Sequence, residues 1–176
     1  TLYRTDQEFR QMEPVKALVS NVFAVDPTLT FFEGRWWLFF TPREQSNSHL
    51  HIWYADHLTG EYKPHRLNPV RVDVRSARPA GTPFYSEGIL YRPAQDCALT
   101  YGYRVAINKI VTLTPDSFEE ETLHYLGPLS HGRYRHGLHT IAMAGAVTLI
   151  DAKRLRISLT YGFSQIRKKL LNRTTR

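Results

Sequence analysis

The chain has one cysteine, Cys97, in 176 residues, so no internal disulfide can form. A single free thiol is the pattern of a reducing compartment, which leans the expected location toward the cytoplasm. Its ordinary role is that of a small buried group. No apolar run reaches the roughly 18 to 20 residues needed to cross a bilayer, and no signal-peptide pattern is visible. No segment carries the periodicity of a long helix, and nothing is low-complexity. Acidic residues are missing from Lys153 to Arg176, which holds eight Lys or Arg. The formal charge of +7 therefore belongs to that tail. The remainder balances 15 basic against 16 acidic residues. A nucleic-acid-binding body would spread basic residues over a face, so nucleic acid is not an expected partner. The tail offers at most a weak electrostatic contact with anionic lipid, or a solvated link to another domain.

What is present is strand-forming material that repeats. Apolar residues make up 42% and aromatics 12%, enough for a packed core and too much for a disordered chain. The stretch from Asp26-Pro-Thr-Leu-Thr-Phe-Phe to Trp36-Trp-Leu-Phe-Phe reads as two strands joined by a tight turn at Glu33-Gly34. A second copy runs from Arg78-Pro-Ala-Gly to Ile89-Leu-Tyr, with its turn at Glu87-Gly88. A third runs from Gly137-Leu-His-Thr to Asp151, with its turn at Gly145. The turn glycines are separated by 54 and then 57 residues. Repeats of this length, built from short antiparallel strands, are the pattern of β-propeller blades. The fold class read from the sequence is all-β, a partial propeller of about three blades. The domain spans residues 1–163, followed by the basic tail 164–176.

Further strands are expected at His49 to Ala55, where side chains alternate, and at a short edge before Pro64, which cannot donate to a ladder. Others are expected over Arg78 to Phe84, Ile89 to Arg92, Tyr101 to Ile110 and the outer part of Thr112 to Glu121. Leu155, Ile157, Leu159, Tyr161 and Phe163 alternate as a closing strand, with a short helical spacing over Ser164 to Asn172. Thr1 to Arg4 reads as the end of a strand, so the chain is expected to be a piece of a longer protein.

Each copy opens on a polar residue where a structural strand would prefer an apolar one: Asp26, Arg78 and His139. Propellers collect their innermost strands around an axis, so these three are candidates for one site. Asp26 can meet sugar hydroxyls or act as an acid or base; equally, it can cap a turn before Pro27. Arg78 can form an ion pair with it, or hold an anionic group. Arg92, Gln95 and Asp96 form a polar cluster able to bind sugar hydroxyls, or to link neighbouring blades as a buried network. His136 and His139 have a His-x-x-His spacing, but no third ligand lies nearby and no helix presents both rings, so no metal is assigned. Neither motif nor composition points to a cofactor. Glu33 and Glu87 stand at the tips of matching turns and read as turn residues. The adjacent pairs Trp36-Trp37 and Trp53-Tyr54 divide between core and opposite face, where one ring of each could stack on a sugar. Asn172-Arg-Thr174 matches a glycosylation sequon, at near-chance frequency.

Taken together, Leu2-Tyr-Arg, Asp26-Pro-Thr-Leu, Gly34-Arg-Trp-Trp-Leu-Phe, Ala77-Arg-Pro-Ala-Gly, Leu90-Tyr-Arg-Pro-Ala-Gln-Asp-Cys, Tyr101-Gly and Gly137-Leu-His-Thr resemble one family. It is the glycosidase-like five-bladed propeller domain at the N-terminus of glucosamine inositolphosphorylceramide transferases, itself similar to family 43 glycoside hydrolases. The resemblance covers about Thr1 to Asp151. It implies a glycan or glycoconjugate partner and, in related proteins, an attached transferase domain. It also implies that this chain corresponds to the C-terminal part of the domain, so the family's catalytic carboxylates are not carried onto it. The expected function is a carbohydrate-recognition or glycan-processing accessory domain, with a polar axial site of Asp26, Arg78, Arg92, Gln95, Asp96 and His139. The alternatives are the C-terminal part of a glycoside hydrolase or glycosyltransferase-linked enzyme, and a structural interaction module.

Overall fold

A computed structural model describes residues 1–155. The chain is all-β, with antiparallel pairing throughout the described residues. A two-stranded hairpin, β1 (Leu2–Thr5) and β2 (Met12–Lys16), comes first. The first sheet is a meander of β3 (Ala24–Phe32), β4 (Arg35–Pro42), β5 (His49–Ala55) and β6 (Lys63–Pro64), with β7 (Arg71–Val72) also paired to β5. The second is a meander of β8 (Phe84–Ser86), β9 (Ile89–Asp96), β10 (Arg104–Leu113) and β11 (Phe118–Leu126). A further hairpin, β12 (Ile141–Ala144) and β13 (Val147–Ile150), begins a third unit. Two successive four-stranded meanders and the start of another make a partial β-propeller.

Turn chemistry explains the repeated phrase. Glu33 and Gly34 have φ of 46° and 78°, and Glu87 and Gly88 have 51° and 76°. Two consecutive positive φ values are what a two-residue hairpin needs to match the twist of its strands. The sheets then pack face to face through alternating side chains. On β4, Trp37 and Phe39 join Leu50 and Ile52 against Ala77, Leu90, Ile110 and Leu113 of the second unit. Its alternate residues, Leu38 and Phe40, face the other way with Ala55 and Tyr62 and are covered by Leu18, Val19 and Val22. The far side of the second sheet, Val105 and Ile107, packs on Leu138 and Ile141 with Ala80. Both faces of the first and second sheets are therefore core, which is why β4 and β9 read as nearly continuous buried runs.

Several strand limits differ from those expected. The innermost segment of the second unit is regular only over Phe84–Ser86, not from Arg78. Pro79 and Pro83 cannot donate to a ladder. Gly81 has a φ of 146°, and a Cβ there would lie 1.9 Å from the Ile141 carbonyl oxygen. The segment is instead anchored at single points: the Ala80 amide donates to the Pro93 carbonyl at 3.0 Å, and the Ile141 amide to the Ala80 carbonyl at 2.8 Å. β9 continues to Asp96, so the Arg92–Asp96 cluster lies within a strand and not after one. β10 begins at Arg104 because Thr100 to Gly102 form a turn in which Gly102 has a φ of 61°. The outer strand starts after the turn around Pro115 and runs to Leu126, beyond Glu121. The alternating segment through Phe163, the helical spacing, the basic tail and Asn172 lie outside the described residues, apart from Leu155.

Candidate functional site

A small cleft of about 200 Å³ opens where the three units meet. It is lined by Asp26, Pro27 and Thr28 of the first, Pro79 to Gly81 and Gln95 of the second, and His139 and Thr140 of the third. Local sequence explains how Asp26 reaches it. A register shift between Val25 and Thr28 bulges β3, and Asp26 takes a φ of 47°. Aspartate tolerates that left-handed conformation better than branched residues do. Bulges commonly re-aim a side chain next to a site.

The carboxylate is then held from the second unit. Arg78 Nε donates to Asp26 Oδ2 at 2.7 Å, and Gln95 Nε2 donates to the same oxygen at 2.8 Å. Oδ1 has no partner among the described residues, and the Asp26 side chain is 39% exposed. Gln95 Nε2 also donates to the Pro79 carbonyl at 2.9 Å. Arg78 Nη1 donates to Asn47 Oδ1 at 2.9 Å. The guanidinium carbon sits 4.8 Å from the centre of the Tyr101 ring, a cation–π arrangement. Arg78 is thus engaged on three sides and only 11% exposed. It supports the carboxylate and does not itself line the cleft.

His139 comes from the third unit. Its Nδ1 faces Asp151 Oδ2, and Asp151 Oδ1 accepts from the backbone amides of His139 and Thr140, each at 2.8 Å. Burial alone would raise the Asp151 carboxyl. The two amides, the imidazole hydrogen bond and the imidazole charge outweigh it, and its pKa is held below the usual value. The His139 ring lies 5.5 Å from Tyr101, tilted, and a Cβ at Gly102 would come 2.5 Å from His139 Cβ. The Thr28 hydroxyl on the cleft wall is buried without a hydrogen-bond partner.

Asp26, Arg78, Gln95 and His139 are therefore brought together. Arg92 and Asp96 are not. They lie on the face of β9 opposite Gln95, because side chains alternate along a strand. Arg92 is fully buried and donates to Glu120 through Nε at 2.7 Å and Nη2 at 2.6 Å, and to the carbonyls of Ser76 and Ala77. Glu120 also accepts from Arg71 at 3.2 Å, so this network ties the first unit to the second. Asp96 pairs with Arg104 at 2.7 Å and accepts from the Ala98 amide. His136 is engaged elsewhere. Its Nδ1 accepts from the Leu155 amide at 3.2 Å, and no cluster of three His, Cys, Asp or Glu exists among the described residues. Burial pushes the Cys97 thiol up from its ordinary value. Of the aromatic pairs, Trp37 is buried and its indole donates to the Phe32 carbonyl, while Trp36, Trp53 and Tyr54 are half-buried.

Sequence reasoning missed Asn47, Tyr101 and Asp151. Only Asp151 carried a signal, since it ends the third copy of the repeat; the other two reach the site from connections between strands.

A family model described as glucosamine inositolphosphorylceramide transferase 1, N-terminal, matches residues 1–135. The chain is similar to glucosamine inositolphosphorylceramide transferase 1 of Oryza sativa subsp. japonica, at 34% identity over 169 residues, covering 88% of this chain and 23% of the relative. The protein of the same name from Arabidopsis thaliana is 37% identical over 102 residues, covering 54% of this chain and 13% of the relative. The chain thus spans under a quarter of the length of these relatives. A solved family 43 β-xylosidase/α-arabinofuranosidase from a compost microbial metagenome, in complex with xylotriose, aligns at 21% identity. That alignment covers 68% of this chain and 38% of that one, with a TM-score of 0.35, too low to transfer anything of its site.

Proposed function

The chain belongs to the family of N-terminal domains of glucosamine inositolphosphorylceramide transferase 1, and on that premise we propose that it is a carbohydrate-recognition or glycan-processing accessory domain, part of a five-bladed ring, with its site in the cleft at Asp26. The observation that carries the reading is the presentation of one carboxylate of the first unit by two side chains of the second. Arg78 and Gln95, 52 and 69 residues away in sequence, hold one oxygen of Asp26, and the other has no partner among the described residues. A carboxylate and an imidazole lining one recess with Thr28 and Thr140 suit the hydroxyls of a sugar, each of which donates and accepts.

Binding is favoured over hydrolysis within this chain. Glycoside hydrolysis uses two carboxyl groups about 5 to 10 Å apart flanking the bond. Among the described residues, Asp26 is the one carboxylate lining the cleft. The partner is a glycan or glycoconjugate, and the neighbour in the longer relatives is a transferase activity that this domain would serve by holding its substrate.

The test is titration of the protein against a panel of mono- and disaccharides by saturation-transfer NMR, with the parent and Arg78→Ala. The expected result is saturable binding of at least one sugar, weakened tenfold or more in Arg78→Ala with a retained circular dichroism spectrum, and no product on long incubation. Saturable binding of no sugar, with Arg78→Ala costing stability alone, would assign a structural module instead. Release of product would assign an enzyme.

A further inference from the structure

The side chains of β5 divide between two faces of the first sheet. Leu50 and Ile52 enter the core against the second unit. His51 and Trp53, on the other face, line an open groove of about 350 Å³. Asn21 and Phe23, just before β3, form a second wall, and Glu44 and Gln45, in a short helical turn after β4, form a third. None of these residues lines the cleft at Asp26. The volume lies within the roughly 300 to 1,000 Å³ usual for small-ligand sites. Contacts outside the groove hold its walls. The Arg43 amide donates to the Phe23 carbonyl at 3.0 Å, and the Arg43 guanidinium carbon sits 4.8 Å from the centre of the Phe23 ring. The His51 ring stacks on Phe40 at 5.8 Å. Asn68 exchanges two hydrogen bonds of 2.8 Å with the backbone of Ile52. The polar groups that face one another here are not used by the fold. The side chains of Asn21, Glu44, Gln45, His51 and Trp53 make no hydrogen bond among the described residues. Asn21, Glu44 and Gln45 are exposed, and the ring nitrogens of His51 and Trp53 are not among the buried unpartnered atoms. Burial and the neighbouring His49 hold the His51 pKa below its ordinary value, so the ring is neutral at pH 7 and both donates and accepts.

We propose that this groove is a second sugar site, separate from the Asp26 cleft, in which the C–H face of a pyranose ring lies on Trp53 and its hydroxyls meet Asn21, Glu44, Gln45 and His51. A pyranose has an apolar face and a polar rim. The groove has the matching division: the rings of Trp53 and Phe23 with Pro42 and Pro64 on one side of the account, and two amides, a carboxylate and a neutral imidazole on the other. An amide or a neutral imidazole donates and accepts, as a hydroxyl does, and a carboxylate accepts from two hydroxyls at once. A wholly apolar ligand would strip water from these groups and return no hydrogen bond. The groove opens near the cleft's end of the first sheet. Pro42 pairs with Ala24, close before Asp26, and Asn47, which accepts from Arg78, follows Gln45 in the same connection. A sugar held here nevertheless needs nothing from Asp26.

The indole N–H of Trp53 reports on the groove directly. In ¹H–¹⁵N correlation spectra of the full chain, Trp53→Phe identifies its signal among the three indoles. Titration with the methyl glycosides of glucose, galactose, mannose and N-acetylglucosamine should move that signal saturably for at least one sugar. The movement should persist in Asp26→Asn, which removes the charge of the cleft. The double variant Glu44→Ala and Gln45→Ala, at exposed positions, should bind the same sugar at least fivefold more weakly, with its melting temperature retained. A Trp53 signal that no sugar moves, while saturation transfer registers a sugar that Asp26→Asn weakens, overturns the groove and leaves the cleft standing. A movement that Asp26→Asn abolishes, or that the double variant shows at undiminished affinity, overturns a separate site in the groove. Binding of no sugar by either readout overturns the groove and the cleft together.

Discussion

Single backbone positions decide much of this protein's detail. Glu33 and Glu87 hold φ values of 46° and 51° at exposed turn tips. A left-handed non-glycine residue costs about 1–2 kcal/mol, and less for asparagine, whose short side chain bonds locally. Glu33→Asn and Glu87→Asn should each raise stability by about 0.5–1 kcal/mol, read from the midpoint of urea unfolding. Asp151 offers a pH test. Its carboxyl is held below its ordinary value in the folded protein. The stability it contributes is therefore complete above the unfolded value of about 3.9 and lost as pH falls through the lower folded one. The parent should lose more thermal stability than Asp151→Asn as pH is lowered through that window; parallel losses would place the acid sensitivity elsewhere. Asp73 titrates in the same sense, since Ser76, the Arg75 amide and Arg71 overcome its burial, so only the difference between the two proteins isolates Asp151.

At the scale of strands, alternation sorts residues that a linear reading groups together. Arg92, Gln95 and Asp96 are neighbours in sequence, but Gln95 reaches the cleft while Arg92 and Asp96 are spent on ion pairs on the other face. The Arg92–Glu120 pair is buried on both sides, at 0% and 1% exposure. Removing one partner strands the other charge, so Arg92→Ala should cost about 3–5 kcal/mol in chemical denaturation. Replacing both by leucine should cost far less, because the desolvation penalty disappears along with the attraction. Equal losses in the single and double variants would mean that the carbonyl contacts of Arg92 to Ser76 and Ala77 dominate. The same scale explains the shortened innermost strand of the second unit. Two prolines and a glycine within Arg78 to Pro83 remove ladder donors and regular geometry, yet they let the backbone pass close to Ile141.

Across the whole molecule, the cleft exists only where three units converge, and its integrity depends on how the third hairpin seats against the second sheet. Gly81 is one close point of that contact. Gly81→Ala adds a Cβ where the Ile141 carbonyl lies 1.9 Å away, at a φ of 146° that alanine rarely adopts. Hydrogen exchange at Ile141 to Ile150 should accelerate in this variant, with β4 and β5 little changed. Uniform acceleration would show that the units do not open separately. Comparison of exchange in Gly81→Ala with sugar binding would then report how far the site needs the third unit.

The sequence by itself determined the all-β class, the repeat, the turn positions at Gly34, Gly88 and Gly145, and the three polar openings Asp26, Arg78 and His139. These rest on local rules: alternation, turn chemistry and an apolar pattern that each copy repeats. Only the tertiary structure decided which polar groups share a space. It bulged β3 to turn Asp26 inward, placed Arg78 behind that carboxylate and not in the cleft, and set Asp151 and Tyr101 around His139. Such pairings join residues 52 and 69 positions apart through the packing of separate sheets, a relation that local periodicity cannot carry.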